Sequence, residues 1–111
     1  VQGVLIGNLY APNGNPWPGP KFDYKLAWLD RLAVHAAELL AAEVPALLIG
    51  DYNVIPTDFD VYKPERWKRD ALFAPAAKTK FAELVASGWT DAILNLTPNT
   101  EIYTFWPYWR Q

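Results

Sequence analysis

The run Ala46-Leu47-Leu48-Ile49-Gly50 passes without a break into Asp51-Tyr52-Asn53. An apolar stretch this short, preceded by Val44-Pro45 and ended by glycine and polar residues, reads as a strand buried in a parallel or mixed sheet. A buried strand constrains its neighbours. It must be flanked by other strands and covered by helices, and the polar groups at its end must reach solvent or a ligand, because burying them unpaired is costly.

The segment upstream fits that demand. Val1 to Tyr10 reads as a first strand with a buried centre, followed by Ala11 to Pro20, a loop dense in Pro, Gly and Asn in which Asn13-Gly14 is a strong turn signal. From Phe22 the period changes. Phe22, Leu26, Leu29, Ala33, Ala36 and Leu40, widened by Trp28 and Leu32, form one face of an amphipathic helix ending near Glu43, where Val44-Pro45 stops it. Strand, loop, helix, strand is the α/β alternation. An irregular stretch runs from Asp51 to Arg69. A second helix then covers "PAAKTKFAELVASG", with Pro75 in its first turn and Gly88 past its end. Trp89 to Leu96 is ambiguous, with a helical turn one reading. "TPNT" is a turn and "IYTFW" a closing strand.

Composition narrows the class. With 51% hydrophobic and 20% charged residues in 111, the chain is a packed domain rather than a disordered one. A formal net charge of -2 gives no global basic field, although a local groove can still be basic. There is no cysteine and one histidine, His35, which rules out a thiolate metal site, a cysteine nucleophile and a nucleophilic triad within this segment. His35 lies among alanines in the first helix and is given no catalytic role. No run is long enough to span a bilayer, and a cytoplasmic protein is the default expectation. Val1 lies inside an apolar run and Gln111 just after an aromatic cluster, so residues 1–111 are expected to be a single partial domain, the central segment of a longer protein.

Three polar or aromatic sets carry the candidate chemistry. Asp51 and Asn53, two apart on an extended chain, would project to one side at the carboxyl end of a strand, where α/β proteins bind ligands. One carboxylate and one amide there can orient a water, take its proton, or supply oxygen ligands to a hard cation such as Mg2+. The structural alternative is an Asx-type turn. Tyr10, Asn13 and Asn15 form a second polar set after the first strand. If the two strands are neighbours, Tyr10 and Asp51 share an edge, suited to binding a phosphate or orienting a nucleophile. The alternative is a plain turn after a strand-end aromatic. "YTFWPYW", Tyr103 to Trp109, is either core or a stacking platform for bases or a sugar-phosphate gap. Asp58 and Asp60 are expected to cap turns, and Lys63, Lys68 and Arg69 to form a solvated cluster able to contact phosphate.

In order, "NLYAPNG", "KFDYKLAWLDRL", "LIGDYNVIPTDFDVY", "GWTDAI" and "YTFW" resemble the exonuclease III family of apurinic/apyrimidinic endonucleases, within the endonuclease/exonuclease/phosphatase superfamily. The resemblance implies a deoxyribonuclease I-like, four-layered α/β sandwich of two mixed sheets flanked by helices. It also implies Mg2+-dependent hydrolysis (Mn2+ the alternative ion) of DNA phosphodiesters 5′ to abasic sites, with 3′ to 5′ exonuclease activity. The implied partner is double-stranded DNA with abasic sites or 3′ ends, with no membrane and no obligate protein partner.

By the same resemblance Tyr10 matches an active-site tyrosine near the scissile phosphate, and Asn13 an amide residue contacting it. Asp51 matches the aspartate that aligns or deprotonates the attacking water, and Asn53 its companion; both are also the metal-side residues. Phe105 and Trp106 match aromatics bordering the sugar pocket. The family's other Asn, its metal-binding Glu, a further Asp and an Asp-His pair have no counterpart here, and Pro107 stands where relatives carry Asp or Thr. The isolated segment is therefore expected to be inactive and marginally stable. Two other readings are a superfamily phosphatase or phosphodiesterase acting on a small phosphoester or lipid, and a non-catalytic scaffold that kept the fold.

Overall fold

The computed structural model describes residues 3–96. Strand β1 (Leu5–Tyr10) leads through the proline-rich loop into helix α1 (Pro20–Ala41), and strand β2 (Ala46–Asp51) returns parallel to β1. This is a βαβ unit, the connection that parallel neighbours require. Short 3-10 turns follow at Asp58–Asp60, Pro64–Arg66 and Ala71–Phe73, then helix α2 (Pro75–Ala86) and the short helix α3 (Ala92–Leu96). The expected turn at "TPNT", the "IYTFW" strand, Phe105, Trp106 and Pro107 lie outside the described residues.

Each element starts or stops where backbone chemistry requires. Pro20 and Pro75 open the two long helices, at positions whose missing N–H has no intrahelical partner to lose. Glu43 adopts a left-handed conformation (φ 54°) after α1, and Val44-Pro45 then commits the chain to extended backbone. The first strand begins at Leu5, because Gly3 is in a turn. The turn at Asp58–Asp60 is held by a reciprocal cap: Thr57 accepts the Phe59 N–H while Asp60 Oδ2 accepts the Thr57 N–H (3.1 Å).

The core differs from the one the helical pattern suggests. On α1 the buried positions are Phe22, Lys25, Leu29 and Ala36, whereas Ala33 is exposed. Phe22 packs with Val54, Ala71, Ala74 and Ala77, flanked by Trp17, Leu26 and Phe81. Ile55, Val61 and Leu72 form a second cluster with Trp67 and Phe73. The stretch after Asp51 is thus irregular in hydrogen bonding yet supplies much of the interior.

Register fixes which strand residues share a face. Ile6, Asn8 and Tyr10 lie opposite Leu47, Ile49 and Asp51. Ile6 (47%), Leu47 (51%) and Ile49 (49%) are about half exposed, so the apolar part of this face is uncovered among the described residues. No helix of the described residues is long and apolar enough to cross a membrane.

Gly50, whose φ is +128°, lies close against the backbone of β1. A Cβ there would lie 2.0 Å from the Leu9 carbonyl oxygen and 2.9 Å from the Leu9 nitrogen. Both contacts are backbone, so neither can move aside cheaply. Gly50→Ala is expected to lower unfolding free energy by roughly 2 kcal/mol or more, the combined effect of a disfavoured φ and a displaced ladder. Urea titration of the protein carrying this chain measures it, and an unchanged midpoint would contradict the strand packing.

Candidate active site at the strand ends

The parallel register pairs Tyr10 with Asp51, the last residue of each strand, and the Ala11 N–H continues the ladder to the Asp51 carbonyl oxygen (2.8 Å). Two elements therefore deliver a phenol and a carboxylate to one sheet edge. Tyr10 is 77% exposed, so its ring is not core filling.

Asp51 is exposed, and its Oδ1 accepts the backbone N–H of Asn53 at 2.8 Å, which is an Asx turn. The extended projection of Asp51 and Asn53 to one side is corrected here. Asn53 has φ 49°, the left-handed region that Asn tolerates better than most residues, and the chain bends away from the strand direction. The Asn53 side chain is consequently buried, with Nδ2 donating to the Ala11 carbonyl oxygen (2.6 Å). That bond ties the turn after β2 to the loop after β1. The turn does not consume the acid: among the described residues Asp51 Oδ2 accepts no hydrogen bond.

Asn13 lies exposed on the neighbouring loop. Its Oδ1 accepts both the backbone N–H (3.1 Å) and Nδ2 (2.7 Å) of Asn15, so its own Nδ2 is the group left to meet a ligand. Asn15 acts as a brace. Its Oδ1 accepts the Ala71 N–H (2.9 Å) and its Nδ2 reaches Asp70 Oδ1 (3.1 Å), which also accepts the Leu72 N–H (2.9 Å). The loop after β1 is thereby pinned to the turn at Ala71–Phe73.

Lys25 was not singled out by the sequence. It is fully buried on the inner face of α1, and its Nζ donates to three backbone carbonyls, those of Asn13 (3.1 Å), Asn53 and Ala71 (3.4 Å). Burial pushes the ammonium down to about 8, opposed by the nearby Asp70 and Asp51 carboxylates. It is therefore still mainly charged at neutral pH, with a carbonyl acceptor for each of its three N–H groups. The available signal was its spacing, three residues from Phe22 and four from Leu29 on the apolar stripe.

Among the described residues no three His, Asp or Glu side chains come close enough to hold a metal by themselves. The oxygens present do suit a hard cation. Among the described residues Asp51 Oδ2 and Asn53 Oδ1 accept no hydrogen bond, which leaves two oxygens of the type such a cation takes. His35 is exposed and faces Glu38 (3.8 Å), away from this chemistry. Lys63, itself at φ 51°, stacks over the Tyr62 ring, while Lys68 and Arg69 are exposed.

Comparison with known proteins gives these groups a context. The model of the endonuclease/exonuclease/phosphatase family matches residues 1–111. "DNA repair nuclease APEX1" of Danio rerio is 32% identical over 100 residues, covering 89% of this chain and 32% of the relative. "Exodeoxyribonuclease" of Streptococcus pneumoniae is 29% identical over 103 residues, covering 92% and 37%. The chain thus spans about a third of the length of these curated relatives. Among solved structures, an AP endonuclease from Archaeoglobus fulgidus superimposes with a TM-score of 0.88 at 31% identity, over 97% of this chain and 42% of that one. The 3′-5′ exonuclease NExo of Neisseria meningitidis gives 0.91 at 31%, over 99% and 43%. A 3′ phosphatase NExo (D146N) structure from Neisseria, described as bound to a product DNA hairpin, gives 0.87 at 30%, over 99% and 43%. The chain belongs to the endonuclease/exonuclease/phosphatase family, and the relatives and structures it resembles are named as AP endonucleases, exonucleases and exodeoxyribonucleases.

Proposed function

We propose that this chain is part of a DNA-repair nuclease that hydrolyses the phosphodiester 5′ to an abasic site and removes nucleotides from 3′ ends, with Mg2+ as its cofactor. The observation that carries the reading is the strand register that sets Tyr10 beside Asp51, with Asn13 on the adjoining loop. Its relatives are named as a DNA repair nuclease and an exodeoxyribonuclease, and a similar structure is described with a product DNA hairpin.

In this reading Asp51 uses its uncommitted Oδ2 to align a water and take its proton. The Tyr10 hydroxyl and the Asn13 Nδ2 hold the non-bridging oxygens of the scissile phosphate, where charge grows as the nucleophile attacks. Asn53 fixes the Asp51 carboxylate through its backbone N–H. Bound Mg2+, held by Asp51 and Asn53 with ligands from elsewhere in the protein, would supply Lewis-acid charge stabilisation. Phe105 and Trp106, outside the described residues, are the candidates for the aromatics that border the sugar pocket.

The same reading completes the fold as two mixed sheets packed face to face. The half-exposed Ile6, Leu47 and Ile49 support it, being an apolar sheet face of the kind a second sheet covers. So does the buried indole N–H of Trp89, which has no acceptor among the described residues. A small-phosphoester hydrolase of the same superfamily is the second reading, favoured only by what the family's name spans.

The protein expressed at the full length its gene encodes should incise an abasic duplex with Mg2+, stop on chelation, and resume when Mg2+ is returned. Asp51→Asn should lower kcat by about 100- to 10,000-fold, the range for loss of a positioned acid or base. Efficient turnover of a small phosphoester without incision of DNA would replace this reading by the second. The isolated 111-residue chain is expected to incise nothing, because among its described residues no three acidic or His side chains cluster closely enough to hold a metal; Mg2+-dependent incision by it would contradict this.

A further inference from the structure

We propose that Lys25 is a positioning residue of the active site: one buried ammonium that holds the loop bearing Asn13 and the turn bearing Asp51 and Asn53 in fixed relation by bonding to the backbone of both. The inference rests on the nuclease reading for what is positioned, and on the hydrogen bonds for how.

Three features carry it. The acceptors of Nζ belong to three separate segments: Asn13 in the loop after β1, Asn53 in the turn after β2, and Ala71 in the 3-10 turn before α2. Two of them are main-chain atoms of candidate site residues, so a shift of the ammonium moves the backbone on which Asn13 and Asn53 stand. The loop also lies directly on the lysine stem. Gly14 has φ +88°, and a Cβ there would lie 2.6 Å from Lys25 Cδ. Finally, the ammonium costs several kcal/mol to take from water. An apolar side chain in its place would leave the Asn13, Asn53 and Ala71 carbonyls without this donor, so the two site loops keep these bonds only in the relation that lets both reach one Nζ. Asp70 and Asp51 are the carboxylates facing it.

The test uses the full-length protein with Lys25→Met, which keeps the stem and removes the donors, and Lys25→Arg, which keeps charge and donors. Each is assayed on abasic duplex well below its own melting transition. Folded Lys25→Met should lose about 10- to 100-fold in kcat, as expected when catalytic groups shift by an ångström. Its KM should stay within about threefold, the signature of lost transition-state rather than uniform binding. Lys25→Arg should recover part of kcat. Folded Lys25→Met with the parent kcat overturns the proposal, as does a loss confined to KM. If Lys25→Met does not fold, amide hydrogen exchange on the unaltered protein decides. The hydrogen-bonded amides of the three tied segments, Asn15, Asn53 and Ala71, should then open together as one unit; separate opening rates overturn it. Should the unaltered protein cleave no DNA at all, the nuclease reading fails, while the exchange measurement still tests the tie between the loops.

Discussion

Two buried polar side chains decide whether the strand ends of this protein form a site. Parallel pairing brings Tyr10 and Asp51 side by side, but pairing stops there, and the chain beyond each strand must be held by something else. Asn53 does this from the second strand, spending its amide on the Ala11 carbonyl while its own N–H orients the Asp51 carboxylate. Lys25 does it from the helix between, closing on the carbonyls of Asn13 and Asn53. Both residues are surrounded by protein, where an unmade hydrogen bond carries its full desolvation cost, so each loop is held in one arrangement.

That arrangement reconciles two readings of Asp-x-Asn that the sequence leaves as alternatives. The Asx turn is present, and it takes one carboxylate oxygen. Among the described residues the other oxygen accepts no hydrogen bond. In the proposed nuclease a structural turn and a reactive carboxylate would be the same feature: the turn fixes the acid's direction through one oxygen only. The Asn13–Asn15 pair follows the same logic on the other loop, where Asn15 and Asp70 absorb the backbone obligations and Asn13 keeps a donor.

The regular elements were legible because their signals are local. The 3.6-residue stripe of α1, the prolines at 20 and 75, Val44-Pro45 and the apolar run to Gly50 each report a backbone constraint. Asp60 as a cap was legible for the same reason. The rest depended on contacts distant in sequence. Nothing between Val54 and Ala77 has a period, yet Val54, Ile55, Val61, Leu72 and Ala74 are core, placed there by 3-10 turns too short to leave a pattern. Lys25 was hidden because a charged residue on a helix ordinarily reads as solvated, and its acceptors come from segments 12, 28 and 46 residues away. The left-handed Asn53 was hidden because an extended strand was assumed to continue past Asp51.

If Tyr10 and Asp51 act on one phosphate, as proposed, they work as a unit and their removal cannot be independent. A double-mutant cycle on incision of an abasic duplex, with Tyr10→Phe, Asp51→Asn and both together, measures this most directly. The double variant is expected to be about as slow as the slower single variant, the behaviour of groups that serve one transition state. Losses in kcat that simply multiply would mean that the two residues act separately, and that the shared edge is not the catalytic centre.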